Sequence, residues 1–271
     1  MRFVTKWFKT VAIATATMAL PGVVSANCCQ QSEITFKENI SDCNDNFTTD
    51  GPYVFYKKKM VIVRSVERQE DGYLLAKKEI YTSKDAVPLL TCKVDDASKA
   101  TFKVKLHSDY SVPPSVYPKP KKLFAISDIE GNFNVFANTL RGNGLINKKF
   151  EWIYGEGHLV LVGDFFDRGN NVTEVLWLIY ELERQAAEQG GMVHFINGNH
   201  EEMNLRGDAR YVEEKYFEVA NVFKTKYSSL YASNTELGKW LRSKNVIERI
   251  GNTLFTHGGL SPQIANFHLP L

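Results

Sequence analysis

The sequence predicts an α/β protein preceded by a small all-β domain. From residue 123 onward, apolar runs of four or five residues alternate with stretches whose apolar residues fall at helical spacing. Between residues 27 and 110 the apolar runs are short, β-rich and separated by turn residues. The two regions meet at SVPPSVYPKPKK, residues 111–122, where four prolines in twelve residues stop any helix or sheet. That strip is predicted to be a stiff, extended linker and the domain boundary.

Residues 1–26 read as a cleaved signal peptide for export. Arg2, Lys6 and Lys9 form a positive start, residues 11–20 an apolar stretch, and Val24-Ser25-Ala26 a small-residue cleavage site. The apolar stretch is too short and too threonine-rich for a span of about 20 apolar residues. No stable membrane insertion is therefore expected after cleavage. A lipid anchor at Cys28 is disfavoured, because Asn27 is not the small residue expected before it. The expected location is periplasmic or secreted.

All four cysteines, Cys28, Cys29, Cys43 and Cys92, fall in the first 92 residues. An even number in an exported chain suggests disulfides. A bond between adjacent Cys28 and Cys29 would be strained. Cys43 with Cys92 is the expected pair, with a thiolate zinc site as the alternative. The net charge of +2, with Lys and Arg dispersed, argues against a nucleic-acid partner. Lys57-Lys58-Lys59 reads as solvated surface.

In the β-rich part, residues 53–56, 60–63, 73–75 and 101–104 are the expected strands, with Gly51-Pro52 and Asp71-Gly72 as turns. Beyond the linker, Leu123–Ile126 is a strand. Asn132 can cap the helix that follows, which carries Phe133, Phe136, Ala137 and Leu140 on one face and stops at Gly142-Asn143-Gly144. His158–Val162 is a second strand. Asn171 with Glu174 forms a capping-box pattern before a helix with Val172, Val175, Leu176, Ile179 and Leu182 on one face. Met192–Ile196 is a third strand and, after a tyrosine-rich helical stretch, Thr253–Thr256 a fourth. All four are expected in one sheet, with ligand sites at their carboxyl ends.

Each of those ends carries metal-ligand chemistry. They read SDIEGN (127–132), GDFFDRG (163–169), NGNHE (197–201) and THGGLSP (256–262). Any one alone is ordinary turn chemistry, since Asp, Gly and Asn populate turns. Four in succession at one sheet edge are a site.

In this order the blocks resemble the metal-dependent phosphoprotein phosphatases within the calcineurin-like metallophosphoesterases. That family's blocks read G-D-x-H-G, G-D-x-x-D-R-G, G-N-H-E and H-G-G. NLRGDARYV, residues 204–212, is similar to the Shewanella-like branch, whose bacterial members prefer phosphotyrosine. The resemblance covers roughly residues 121–271 and leaves the β-rich part aside. It implies a metallophosphoesterase sandwich over residues 123–271 and two divalent ions about 3.5–4 Å apart that activate a water. By resemblance Asp164 bridges the ions, Asp128 and Glu130 hold the first, and Asn199 and His257 hold the second. His200 would be the general acid, Asp167 would orient it, and Arg168 would bind phosphate oxygens.

Two departures bear on this. Glu130 stands where the family has histidine, and a harder ligand set favours Mn²⁺ or Mg²⁺. Mn²⁺ is expected, with Fe and Zn as alternatives. The family also draws a further histidine and arginine from strands after H-G-G, whereas this sequence stops at Leu271. The domain is therefore expected to be truncated at its C-terminus, with feeble activity. The implied substrate is a phosphorylated protein or a small phosphomonoester. Dinucleoside polyphosphate hydrolysis and a non-catalytic exported binding protein are the alternatives. His158 and His194 are expected as core or surface histidines, and Tyr211, Tyr216, Tyr227 and Tyr231 as packing residues. Arg206 is either a helix-surface residue or a second phosphate contact.

Overall fold

A computed structural model describes residues 47–108 and 110–266. The expected export signal, Cys28, Cys29 and Cys43 lie outside the described residues. Cys92 is a buried thiol whose Sγ lies 3.7 Å from the Gly51 carbonyl. Among the described residues no helix is long and apolar enough to cross a membrane.

Strands β1 (Thr49–Lys57), β2 (Met60–Arg68) and β3 (Leu74–Tyr81) form an antiparallel sheet in that order, and β4 (Leu90–Lys93) pairs antiparallel with β5 (Thr101–Val104). The chain continues through β6 (Val116–Tyr117), β7 (Leu123–Ile126), α1 (Phe133–Gly142), β8 (His158–Val162), α2 (Val172–Glu188) and β9 (Met192–Ile196). Then come α3 (Asn199–Arg206), α4 (Glu214–Val222), a 3-10 turn (Tyr227–Tyr231), α5 (Glu236–Arg242), β10 (Ile247–Ile250), β11 (Thr253–Thr256) and α6 (Pro262–Ala265). Asn132 caps α1 as expected, its side chain accepting the Val135 N–H at 3.1 Å.

The fourth site-bearing strand is not in the sheet of the other three. Strands β7, β8 and β9 are parallel neighbours, whereas β11 joins β10 and β6 in a second sheet. Side-chain alternation explains the split. Leu159 and Leu161 enter the main core with Phe133 and Phe136, while Val160 and Val162 of the same strand pack with Ile196, Ile250 and Phe255. A strand apolar on both faces needs a cover on each, and the second sheet supplies one. His194 ties the layers together: its Nδ1 is 2.6 Å from Glu248 Oε2 and its Nε2 is 2.9 Å from His158 Nδ1.

The proline-rich strip is not a free linker. Its Val116–Tyr117 segment is β6, paired in parallel with β10. Ser115 and Tyr117 carbonyls accept the N–H groups of Arg249 (2.7 Å) and Gly251 (2.8 Å). Proline is tolerated there because β6 is the edge of its sheet.

Nor does the β-rich part pack by itself. Its Tyr53, Val54, Phe102 and Val104 belong to the same buried cluster as Phe133, Trp177 and Trp240. Phe102 stacks on Phe133 with centroids 6.0 Å apart, and the Trp177 indole donates to the Pro52 carbonyl at 2.8 Å. Helix α2 is consequently buried at every residue from Val172 to Leu182, instead of on one face. The capping box expected at its start is absent. Asn171 makes no side-chain cap bond, and the Val172 N–H donates instead to Tyr216 Oη at 2.8 Å.

Glu174 takes part in a fully buried charge cluster. Lys215 Nζ lies 3.1 Å from Asp50 Oδ1 and 3.7 Å from Glu174 Oε1, with none of the three side chains exposed. The same ammonium donates to the Asn170 carbonyl at 2.6 Å, and Tyr53 donates to Asp50. Burial works against the Lys215 charge, but Asp50 and Glu174 outweigh it. Removing the cation would leave two carboxylates buried together, the costly case for an ion pair. Lys215→Met is therefore expected to lower stability by about 3–5 kcal/mol. Adding Glu174→Gln should restore part of the loss. Urea unfolding of both variants checks the order.

Candidate active site

The loops after β7 and β8 are shaped by residues in the left-handed region. Asp128 (φ 56°), Glu130 (φ 48°), Asp164 (φ 61°), Asp167 (φ 69°) and Arg168 (φ 59°) all adopt it, as few side-chain-bearing residues do. Each such residue costs on the order of 1–3 kcal/mol and persists only where its surroundings hold it. The two loops hold each other: Asp128 N–H donates to the Gly163 carbonyl (3.1 Å), Glu130 N–H to Asp164 (3.0 Å) and Gly131 N–H to Phe165 (3.0 Å).

The loop after β9 is fastened to them by Glu201. Its buried carboxylate accepts the N–H groups of Asp164 (2.9 Å), Phe165 (2.8 Å) and Gly198 (2.7 Å). The glycines permit this approach. A Cβ on Gly163, itself at φ +78°, would sit 2.7 Å from Gly198 Cα, and a Cβ on Gly198 would sit 2.4 Å from Asp164 Oδ1.

These contacts bring Asp128, Asp164 and His257 together, with one ligand atom from each lying within 4.8 Å of the others. Their donors, two carboxylate oxygens and an imidazole nitrogen, suit a divalent cation. His257 Nδ1 donates to the Val162 carbonyl at 2.8 Å, and its Nε2 lies 3.0 Å from Asp164 Oδ2. The first contact orients the ring and leaves Nε2 for the carboxylate side, as in metal-ligating histidines. Hydrogen bonding to Asp164 holds the His257 pKa up at about 9. The same negative potential that favours a proton there favours a cation, which would take the proton's place.

Beside this group lies a histidine held from behind. His200 Nδ1 is 2.6 Å from Asp167 Oδ2, and its Nε2 is 3.8 Å from Asp164 Oδ2. Asn204 Nδ2 donates to Asp167 Oδ1 (2.9 Å) and to the His200 carbonyl (2.8 Å), while Tyr227 Oη donates to Asn204 Oδ1 (2.5 Å). Both rotation and tautomer of the imidazole are thereby set.

The remaining residues lie around these two groups. Glu130 is outside the three-residue group, and its carboxylate pairs with the Arg168 guanidinium. Asn199 is exposed at the first residue of α3. Arg206 is an exposed surface residue paired with Glu202 one turn earlier. Tyr216, Tyr227 and Tyr231 are buried packing residues, as expected. Tyr211 is not: it is 44% exposed, with its ring 5.3 Å from the His200 ring and 5.3 Å from the Arg168 guanidinium carbon.

Glu201 and Asn204 have no role in the sequence analysis, and Tyr211 is expected there as a packing residue. Two had a signal. Glu201 stands at the third position of α3, where a carboxylate reaches back to the cap N–H, and Asn204 lies one turn after His200 on the same face. Nothing in its spacing marks Tyr211.

A cation group of this make-up, at the end of a two-sheet sandwich and next to a carboxylate-held histidine and an arginine, places the protein among the metallophosphoesterases. Residues 121–269 match the family model of the calcineurin-like phosphoesterases, and the chain belongs to that family. The family implies divalent metal ions. The chain is 38% identical over 102 residues to Shewanella-like protein phosphatase 2 of Arabidopsis thaliana, covering 38% of this chain and 26% of the relative. It is 33% identical over 150 residues to Shewanella-like protein phosphatase 1 of Plasmodium berghei (strain Anka), covering 55% and 41%. The chain thus spans less than half the length of these curated relatives.

The crystal structure of the cold-active protein-tyrosine phosphatase of a psychrophile Shewanella sp. superposes with a TM-score of 0.71 at 35% identity, covering 82% of this chain and 64% of that one. A share of 82% exceeds what the 151 residues from 121 onward could supply in a 271-residue chain. The likeness therefore extends into the β-rich part.

Gly198→Ala tests the geometry directly. The new methyl must displace Asp164, at a cost of about 1–3 kcal/mol. Weaker Mn²⁺ binding should accompany a lowered melting temperature. Equilibrium dialysis with metal analysis reads the first, and calorimetry the second.

Proposed function

We propose that the protein hydrolyses phosphate monoesters, with phosphotyrosine in proteins as its preferred substrate class. The observation that carries this reading is the His200–Asp167 pair set against the Asp128, Asp164 and His257 group. Asp128, Asp164 and His257 would hold a divalent cation, with Glu130 and Asn199 as proposed further donors to a two-ion centre and Mn²⁺ as the proposed metal. When bound, such cations supply Lewis-acid activation of water and neutralise phosphate charge.

The protein's own groups do the rest. As a water oxygen attacks phosphorus, the ester P–O bond breaks and the leaving oxygen needs a proton. His200 Nε2 supplies it. Asp167 accepts from Nδ1 at 2.6 Å and so keeps the imidazole aimed, with Nε2 facing the ester. Arg168, exposed and fork-shaped, binds two non-bridging phosphate oxygens. Glu130 keeps that guanidinium beside the site, and a cation drawing on Glu130 would release it for phosphate. Tyr211 offers its exposed ring between Arg168 and His200, where a phenyl ester would stack.

Two substitutions test the assignment. His200→Gln is expected to lower kcat by roughly 10²–10⁴-fold with metal content unchanged. The loss should shrink for esters with acidic leaving groups, which need little protonation. Losses equal across a leaving-group series would remove His200 from the acid role. Tyr211→Leu should raise KM for a phosphotyrosine peptide by roughly 3–10-fold while leaving a phosphoserine peptide nearly unaffected. Steady-state kinetics on the two peptides reads this. Faster turnover of diadenosine tetraphosphate than of either peptide would transfer the activity to dinucleoside polyphosphates.

A further inference from the structure

Away from the catalytic groups, four cations surround one cavity. Strand register places Phe55 opposite Ile62, Lys57 opposite Met60, and Arg64 opposite Lys78. These residues therefore share one face of the β1–β2–β3 sheet. The segment after α4 lies over that face and brings Lys224, Thr225 and Ser229 to it. Together they enclose a cavity of about 620 Å³ whose lining includes Lys57, Arg64, Lys78 and Lys224 and no carboxylate.

The charges are unbalanced in a way the rest of the sheet is not. Lys77 and Lys93 both pair with Glu67, and Arg68 pairs with Glu218. None of the four cavity cations forms an ion pair among the described residues. Arg64 and Lys78 stand directly across from one another, an arrangement of like charges that destabilises a strand pair. Arg64 is also partly withdrawn from water. Its guanidinium lies 3.9 Å from the Phe223 ring centroid and donates one N–H to the Phe223 carbonyl at 3.0 Å, while its buried Nε has no partner. A merely solvated basic face would spread such groups apart. Here they converge on a concave space.

We propose that this cavity is a binding site for an oligophosphate anion, held by Lys57, Arg64, Lys78 and Lys224 with the Thr225 and Ser229 hydroxyls donating to its oxygens. Four positive charges match two or three phosphate groups better than a single carboxylate, and the volume falls within the usual range for small-ligand sites. Arg64 and the lysines divide the work, the fork binding two oxygens and the ammonium groups acting as point charges. With the whole chain near neutrality at +2, the concentration of charge is local to the cavity. The site is independent of the proposed phosphatase reading, because it shares no residue with the cation group or the His200 pair.

Calorimetric titration of the chelator-treated protein with inorganic tripolyphosphate tests it, since removing divalent ions suppresses binding at the catalytic groups. Tripolyphosphate should bind at least tenfold more tightly than orthophosphate, and less tightly as salt is raised. Lys78→Gln and Lys224→Gln, each with an unchanged circular dichroism spectrum, should each weaken binding about tenfold. Arg168→Gln should leave it unchanged. Absence of binding, or binding lost in Arg168→Gln but kept in the lysine variants, overturns the proposal. A competing titration with a peptide bearing two adjacent phosphoserines separates the sources. Displacement of tripolyphosphate at lower peptide concentration identifies a protein-borne ligand, and weaker displacement a free oligophosphate.

Discussion

One buried carboxylate, Glu201, holds the site together. It accepts N–H groups from two different loops, at Asp164 and Phe165 on one side and Gly198 on the other. Hydrogen bonds from several N–H donors stabilise a carboxylate, here against the burial that pushes the Glu201 pKa up. The exchange suits both partners, since loops that enter the core would otherwise leave donors unsatisfied. Asp164 sits where it does because of this anchor, and Asp164 in turn receives His257 Nε2 and the His200 N–H (3.1 Å). The cation group and the histidine pair are thus two sides of one fastening.

The left-handed residues show what that fastening opposes. Five side-chain-bearing residues in two loops adopt a conformation that an isolated chain would leave. Their combined cost is a sizeable fraction of a domain's net stability. It is offset by the packing beneath, where Phe165 and Phe166 are fully buried between the left-handed Asp164 and Asp167. Strain of this kind belongs at a site whose ligands must stand in place before a cation or substrate arrives.

The β-rich layer is part of this support. It covers the second face of α2, and through Asp50 and Lys215 it reaches the Asn170 carbonyl, two residues from Arg168. Tyr216 Oη accepts the Val172 N–H at the other end of the same short loop. The loop that carries Arg168 is therefore gripped from α4 and β1, elements far apart in sequence. The likeness to a solved structure over 82% of the chain extends over this layer as well.

Much of this was legible in the sequence, because local chemistry encodes local form. Apolar runs and helical spacing located β7, α1, β8, α2 and β9, and the four strand-end blocks named Asp128, Asp164, His200 and His257. The side-chain chemistry of those blocks is by itself that of a candidate cation site. What depended on contacts between distant residues was not legible. The alternation along β8 shows two apolar faces but not which segment covers the second, so Thr253–Thr256 was assigned to the wrong sheet. Glu130 reads as a ligand, yet its contact with Arg168 depends on two loops meeting. Lys57 reads as ordinary surface until register and the segment after α4 enclose it with Arg64, Lys78 and Lys224. Periodicity and turn preference act over a few residues, whereas the pairing of sheets, loops and charges is decided by which surfaces can be buried together.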